Sequence, residues 1–379
     1  MSSAYFNLAT EADNEELLHF LHNNPMPGRI SISLERSPNF FFGASIEGET
    51  HQTLVGRTAT HNRIIATGGR SVRKMWIDGR PTSVGYLGQL RIDSEFRNNG
   101  KFIIRGYQHM RELHQIFQRT ESGTEFYITT IVSDNRTAMR LLSHNVKGMP
   151  QYGRYGELSS FLLPVRRAIF SSLKPSGINI RQALPKDLAS IVDCLQRNYQ
   201  RFQFAPVWTK EDFRNQSRTR GLCIEDFILA ENASGDVCGV MALWDQTAFK
   251  QTVICGYSPI FSGIAALSRG MGELFNTPRL PKVGAPLPFA FVSHVAVDGD
   301  NRDVFIQLLS CLQQIAHLRN ILFLTIGLAD NHPLTFVLRR LLVKVEYRST
   351  IFTVCWNDGE KTLSDIDSQR IPHPELAVL

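Results

Sequence analysis

Leu90-Arg91-Ile92-Asp93-Ser94-Glu95-Phe96-Arg97-Asn98-Asn99-Gly100-Lys101-Phe102-Ile103 is the stretch that decides the reading of this chain. An apolar strand ends at Ile92, a polar turn follows, and a long helix begins near Phe102. The start of a helix presents unpaired N–H groups and a partial positive charge, which together favour an anion. Gly100 lets the backbone curl close to such an anion, and Arg97 and Lys101 add charge at the same place. A pyrophosphate fits this arrangement. So does an ordinary strand–helix turn with an asparagine at the helix start.

Working outward, the same order of elements occurs twice. Phe6-Asn7-Leu8 and Ile178-Asn179-Ile180 read as short strands. Each feeds an amphipathic helix, to His22 and to Arg197, with an Asp near its start. Further on, strand Val84–Ile92 leads through a turn into helix Phe102–Gln118. Strand Phe289–Val297 leads likewise into helix Asp303–His317. On the first of these helices Ile103, Tyr107, Met110, Leu113 and Phe117 recur every three or four residues, a face for packing on a sheet. Strands Phe126–Val132 and Ile321–Gly327 then run into Ser133-Asp134-Asn135 and Ala329-Asp330-Asn331. Short helical runs (137–142 and 334–342) and closing strands (156–163 and 351–356) complete each half. Asp78-Gly79 marks a tight hairpin. The expected fold class is α/β with a mixed sheet, built as two domains of similar plan. The domains are residues 1–165 and 178–357, joined by a linker at 166–177 and followed by a polar tail at 358–379. Residues 268–288, rich in Gly and Pro, read as a long loop.

The quoted segment resembles the coenzyme A signature of the GNAT N-acetyltransferase superfamily, an apolar strand followed by Q/R-x-x-G-x-G/A at a helix start. Arg97, Gly100 and Phe102 fall on the three pattern positions. Phe102 departs from it, because the family has a small residue there. Asp134-Asn135-x-x-Ala138 resembles the family's N-x-x-A segment, which lies beside the pantetheine arm. The resemblance in architecture covers nearly the whole chain, as tandem GNAT-like domains; the motifs cover only the first half. It implies a coenzyme site at Leu90, Ile92, Arg97, Asn98, Asn99, Gly100, Lys101, Phe102, Ile103, Asn135 and Ala138. It also implies that a backbone N–H of the fourth strand, with Leu90 or Ile92 as the positions expected here, polarises the thioester carbonyl. The implied activity is N-acyl transfer from acyl-coenzyme A, with acetyl as the expected group and a small-molecule or peptide amine as acceptor. The family often places an acidic Tyr in the helix after Asn135. None stands there, and Tyr152 and Tyr155 are the nearest substitutes. In the second half, aligning Val295-Ala296-Val297 with Leu90-Arg91-Ile92 puts Asp303, Val304 and Phe305 where Asn98, Asn99 and Gly100 stand. An Asp facing a phosphate is repulsive, so this half is expected not to bind the coenzyme. A non-catalytic acyl-coenzyme A sensor or scaffold is the alternative from another class.

Composition narrows the rest. The chain has 379 residues, 43% hydrophobic and 20% charged, enough for a packed core. No apolar run approaches the ~20 residues of a membrane span, and the acidic N-terminus is no secretory signal. The six cysteines form no CxxC, so free thiols and a cytoplasmic setting are expected. Residues 1–172 carry 20 Lys and Arg against 15 Asp and Glu, the remainder 21 against 20, so the basic excess lies in the first half. It suits solubility or a phosphorylated ligand. The basic residues are scattered without interleaved aromatics, which argues against nucleic acid and against an aminoacyl transferase using charged tRNA. His109 and His114, five apart, share no helix face, so no metal is expected. His294 reads as a core histidine, and the segment from Arg36 to Phe42 as core or a wall over the acceptor. No Ser-His-Asp order or GxSxG elbow supports a hydrolase.

Overall fold

The computed structural model describes residues 4–26, 28, 30–97, 99–118, 120, 123–135, 138–140, 146–165, 177–259, 262–263, 280–341 and 344–379. The first half runs β1 (Ala4–Leu8), helix Asn14–Asn23, β2 (Ile30–Glu35), helix Phe40–Ala44, β3 (Thr50–Thr58), β4 (Ile64–Ile77), β5 (Arg80–Ile92), helix Gly100–Phe117, β6 (Tyr127–Val132) and β7 (Gln151–Pro164). The second half runs β8 (Asn179–Gln182), helix Leu188–Tyr199, β9 (Ala205–Pro206), helix Lys210–Arg214, β10 (Phe227–Glu231), β11 (Val237–Trp244), β12 (Gln251–Tyr257) and β13 (Phe289–Val297). It continues with helix Arg302–Leu318, β14 (Phe323–Ala329), helix Pro333–Arg339 and β15 (Val345–Cys355).

Among the described residues thirteen strands form one sheet in the order β1-β3-β4-β5-β6-β15-β7-β14-β13-β11-β10-β8, with β9 on β4. The two halves exchange their last strands. β7 pairs antiparallel with β14, β15 pairs antiparallel with β6, and β15 pairs with β7 along its whole length. The sheet therefore crosses the segment expected as a linker, of which 166–176 lie outside the described residues. A second small sheet, β2 against β12, also ties the halves together.

Helices cover both faces, so the central strands read as apolar runs and not as strict alternation. β10 and β11 are buried along nearly all their length. Met110 and Leu113 of the Gly100–Phe117 helix pack with Leu54 and Leu87. Phe305, Leu308, Leu309 and Leu312 of the Arg302–Leu318 helix form the corresponding core of the second half. Asp78 (φ 51°) and Gly79 (φ 77°) close the β4–β5 hairpin, both in the left-handed region that a tight primed turn requires. The tail is docked, with Glu375, Ala377 and Val378 buried and residues 376–378 seated against β13 and β14.

The parallel pairing of β5 with β6 lasts only from Gly85–Tyr127 to Tyr86–Ile128. Gly85 stands at this fork because a Cβ there would lie 2.0 Å from Cδ1 of Tyr127, itself fully buried. Gly85→Ala should therefore cost about 2–3 kcal/mol of folding stability in urea titration. Gly100→Ala meets nothing within 4 Å and should leave the urea midpoint nearly unchanged.

Candidate active site

Beyond Tyr86 the strands part, leaving Leu87–Ile92 of β5 and Thr129–Val132 of β6 without mutual pairing. A bulge shapes the free edge. The β4–β5 register shifts between Thr67 and Gly69, and Gln89 sits at φ 55°. Gly85 donates its N–H toward β6, to the carbonyl of Phe126. Past the bulge the parity changes. Asp93 donates back to Ile65 of β4, so alternation turns the backbone of Leu90 and Ile92 toward the gap. Arg97 Nε occupies the Ile92 carbonyl at 2.9 Å and leaves its N–H to the gap.

The gap opens into a cavity of about 420 Å³. It passes through the sheet. On the helix side it is lined by Leu87, Ile92, Phe102, Ile103, Met110 and Tyr152, and on the other face by Met26, Leu34, Tyr86, Gln89, Arg91 and Thr130. Leu376 and Leu379 of the docked tail close the second face. Of the expected coenzyme residues, Leu90, Ile92, Phe102, Ile103, Asn135 and Ala138 are brought together here. Arg97, Asn99, Gly100 and Lys101 form the adjoining turn and helix start, largely exposed. Asn98 lies outside the described residues. Phe102 does not crowd that turn: it is buried and stacks on Phe6 with centroids 5.0 Å apart.

At the helix start the Asn99 side chain accepts from the N–H of Phe102, leaving those of Gly100 and Lys101 with no helical partner. The arrangement fits an anionic group. The matching helix of the second half differs. Asn301 accepts from both Asp303 and Val304 N–H, and the Asp303 carboxylate stands beside them. The second gap also differs. β13 and β14 part after Phe291–Thr325, and His294, at φ 53°, marks the equivalent bulge. Its N–H donates to Glu375 at 2.8 Å. Leu376 lies against Gly327, where an added Cβ would come within 2.8 Å of it. The chain's own tail occupies this gap.

The two candidate tyrosines are separated. Tyr152 lines the cavity, its hydroxyl 2.8 Å from that of Tyr107. Burial, then the neighbouring phenol, pushes it well above the ordinary tyrosine range, so it stays protonated. Tyr155 lies elsewhere, against the ring of Phe204, its hydroxyl donating to the carbonyls of Asp367 and Arg370. Tyr86, Gln89 and Arg91 also line the cavity, and no motif marks them in the sequence. Tyr86 donates to or accepts from Thr130 at 3.1 Å, and burial pushes its phenol up to about 12. A positive φ at a glutamine leaves no signal in composition or period.

Behind Gln89 lies a buried polar group. Glu47 is paired with Arg36, both almost fully buried, and its second oxygen is 3.3 Å from His51 Nδ1. Burial pushes the Glu47 carboxyl up, but Arg36, His51 and Lys250 outweigh it and hold the group ionised. Burial pushes His51 down to about 4 in spite of Glu47, and Lys250 down to about 8. Among the described residues no group of three His, Cys, Asp or Glu could hold a metal, and no helix is long and apolar enough to cross a membrane. The six cysteines are unpaired.

No family model and no curated protein sequence matches the chain. Solved structures do. A GCN5-related N-acetyltransferase from Sphaerobacter thermophilus is similar at TM-score 0.57 and 12% identity, over 92% of this chain and 95% of that one. Saccharomyces cerevisiae N-myristoyltransferase with bound myristoyl-CoA is similar at TM-score 0.60 and 11% identity, over 93% and 83%. A tandem GNAT protein from the clavulanic acid biosynthesis pathway is similar at TM-score 0.55 and 12% identity, over 93% and 98%. The chain has the fold of the GNAT superfamily, with two GNAT-like units in tandem.

The buried histidines predict the acid behaviour. Burial pushes His51 and His332 down to about 4, and burial and then Arg73 push His294 down to about 3. The unfolded chain takes these protons near pH 6.5, the folded chain only far lower. Protonation therefore favours unfolding, and stability falls as pH drops from 6.5 to 4. Urea midpoints measured across this range should decline steadily, and His51→Gln should make the decline shallower.

Proposed function

We propose that the protein is an acyl-coenzyme A dependent N-acyltransferase with one coenzyme site, in the first half. The observation that carries this reading is the cavity that crosses the sheet at the β5–β6 gap, beside a helix start with free N–H groups. The coenzyme's pyrophosphate would lie at Arg97–Lys101 and its pantetheine arm between Leu90–Ile92 and Asn135–Ala138. The N–H of Leu90 is the donor we assign to the thioester carbonyl, where negative charge grows as the amine attacks. The nitrogen lone pair forms the new C–N bond as the C–S bond breaks. The nitrogen loses one proton to solvent, and the departing thiolate takes one. Tyr152, a protonated phenol on the cofactor side, is the donor we assign to the sulfur. Tyr155 is too remote for that role. Acetyl is the expected acyl group and a small-molecule or peptide amine the acceptor. The second half, its gap filled by residues 375–378, walls the acceptor side and binds no coenzyme.

One observation favours a non-catalytic acyl-coenzyme A binder: the Tyr152 hydroxyl is engaged with Tyr107 and its acidity is low. Two measurements separate the readings. Calorimetric titration with acetyl-coenzyme A should give one site per chain, abolished in a folded Arg97→Glu, Gly100→Glu variant; no binding contradicts both readings. Release of free coenzyme thiol with a panel of amines should then show turnover, reduced ~10-fold or more in Tyr152→Phe with the coenzyme dissociation constant unchanged. Binding without turnover would leave the binder. No described side chain lining the cavity is a carboxylate or an imidazole, and the main-chain carboxylate of Leu379, which also lines it, stays ionised above about pH 5. Consequently kcat/KM should climb about tenfold per pH unit until the acceptor amine's own pKa is reached.

A further inference from the structure

Among the described residues that line the cavity, Arg91 carries the one charged side chain. Ile92 packs on the helix side with Phe102 and Phe96. Alternation therefore sends Arg91 to the opposite face, where its Nη2 lies 3.0 Å from the Met26 sulfur. Its Nη1 donates to the carbonyl of Leu90, the residue before it. No carboxylate acts on it. Burial first, then Arg36 and Arg97, lowers it to about 10, with Tyr86 acting in the other direction.

The surrounding charge does not balance either. Glu47 is the carboxylate of the buried group, and it serves Arg36, His51 and Lys250. The Arg36 Nη1 is buried with no hydrogen-bond partner among the described residues. Asp93, two residues further along, is paired with Arg63. Glu47 thus faces Arg36 and Lys250, and Arg91 has no side-chain carboxylate of its own. Arg91 is half-buried, and a cation partly withdrawn from water gains from an anion that joins it. A guanidinium in a concave apolar wall is shaped for a bidentate carboxylate.

We propose that Arg91 is the receptor for a carboxylate on the acceptor, so that the substrate class is an amine bearing a carboxylate a few bonds from its nitrogen. This rests on the acyltransfer reading above. The carboxylate would seat on the guanidinium on the face opposite the helix, and the amine would reach the gap beside Leu90. The same pairing would deliver an amino acid and reject its decarboxylated counterpart, because only the former neutralises Arg91.

The test has a binding arm and a turnover arm. In the first, N-acetylglycine, N-acetyl-β-alanine and N-acetyl-γ-aminobutyrate, each against its carboxamide, are titrated by calorimetry into protein saturated with coenzyme A. In the second, glycine, β-alanine and γ-aminobutyrate, each against the alkylamine of matching length, are assayed for thiol release. The tripeptide amide Asp-Ala-Ala-NH₂ separates a peptide source of the carboxylate from a free amino acid. The proposal expects at least one carboxylate of each series to be favoured ~100-fold over its uncharged partner. In Arg91→Gln the preference is lost, in Arg91→Lys it is partly restored, and the acetyl-coenzyme A dissociation constant changes less than about threefold. Equal handling of charged and uncharged partners, no binding of any carboxylate, or a large loss of coenzyme affinity in Arg91→Gln would overturn it. Carboxylate binding lost in Arg91→Gln but without turnover on any amine would uphold the anion site and remove the acyltransfer reading instead.

Discussion

The parting of β5 from β6 is the constraint on which the rest depends. Two parallel strands joined at Gly85–Tyr127 and Tyr86–Ile128 would ordinarily continue their ladder, since an unpaired buried backbone group is costly. The pairing ends just past Gly85, which leaves room for the Tyr127 ring. The bulge at Gln89 then shifts the register against β4, so that Leu90 and Ile92 turn their backbone groups to the open edge. The left-handed backbone at a glutamine is the kind of local cost that persists where the surroundings hold it in place. Every feature assigned to function lies along that edge: the helix start at one end, the cavity through the sheet, Tyr152 on one face and Arg91 on the other.

The second half repeats the device and then closes it. His294 takes the place of Gln89, with nearly the same φ, and β13 and β14 part as β5 and β6 do. There, however, the edge is satisfied from within. Glu375 accepts the His294 N–H, and Trp208 packs over the imidazole with centroids 4.4 Å apart. Asn301 caps two of the helix-start amides that an anion would need. The same chain segment that fills this gap ends at the first cavity, through Leu376 and Leu379. One gap is thus occupied by protein, and the other is bounded by the protein that does so.

Much of this was legible in the residues. The helix face of Ile103, Met110 and Leu113, the repeated strand–turn–helix order and the Asp78-Gly79 hairpin lie where periodicity and turn chemistry put them. The gathering of Leu90, Ile92, Asn135 and Ala138 follows from the same local order. The strand exchange was not legible, because β7 and β15 are equally apolar partners for either half, and pairing between distant segments leaves no local mark. The 358–379 tail is polar in composition, yet it docks through a few side chains such as Leu376 and Val378, too few for a period. Tyr155 failed as a cavity residue for a simple geometric reason. On β7 it is the extra residue of a bulge between Arg154 and Gly156, and its ring lies against Phe204, away from Tyr152.

The most direct test of the account is a crystal structure of the protein grown with acetyl-coenzyme A. The account predicts one coenzyme per chain, with its pyrophosphate at the Gly100–Phe117 helix start. Its pantetheine would lie between Leu90–Ile92 and Thr129–Val132, while Glu375–Val378 remain in the β13–β14 gap. A coenzyme seated in the second gap in place of that tail, or bound away from the β5 edge altogether, would contradict it.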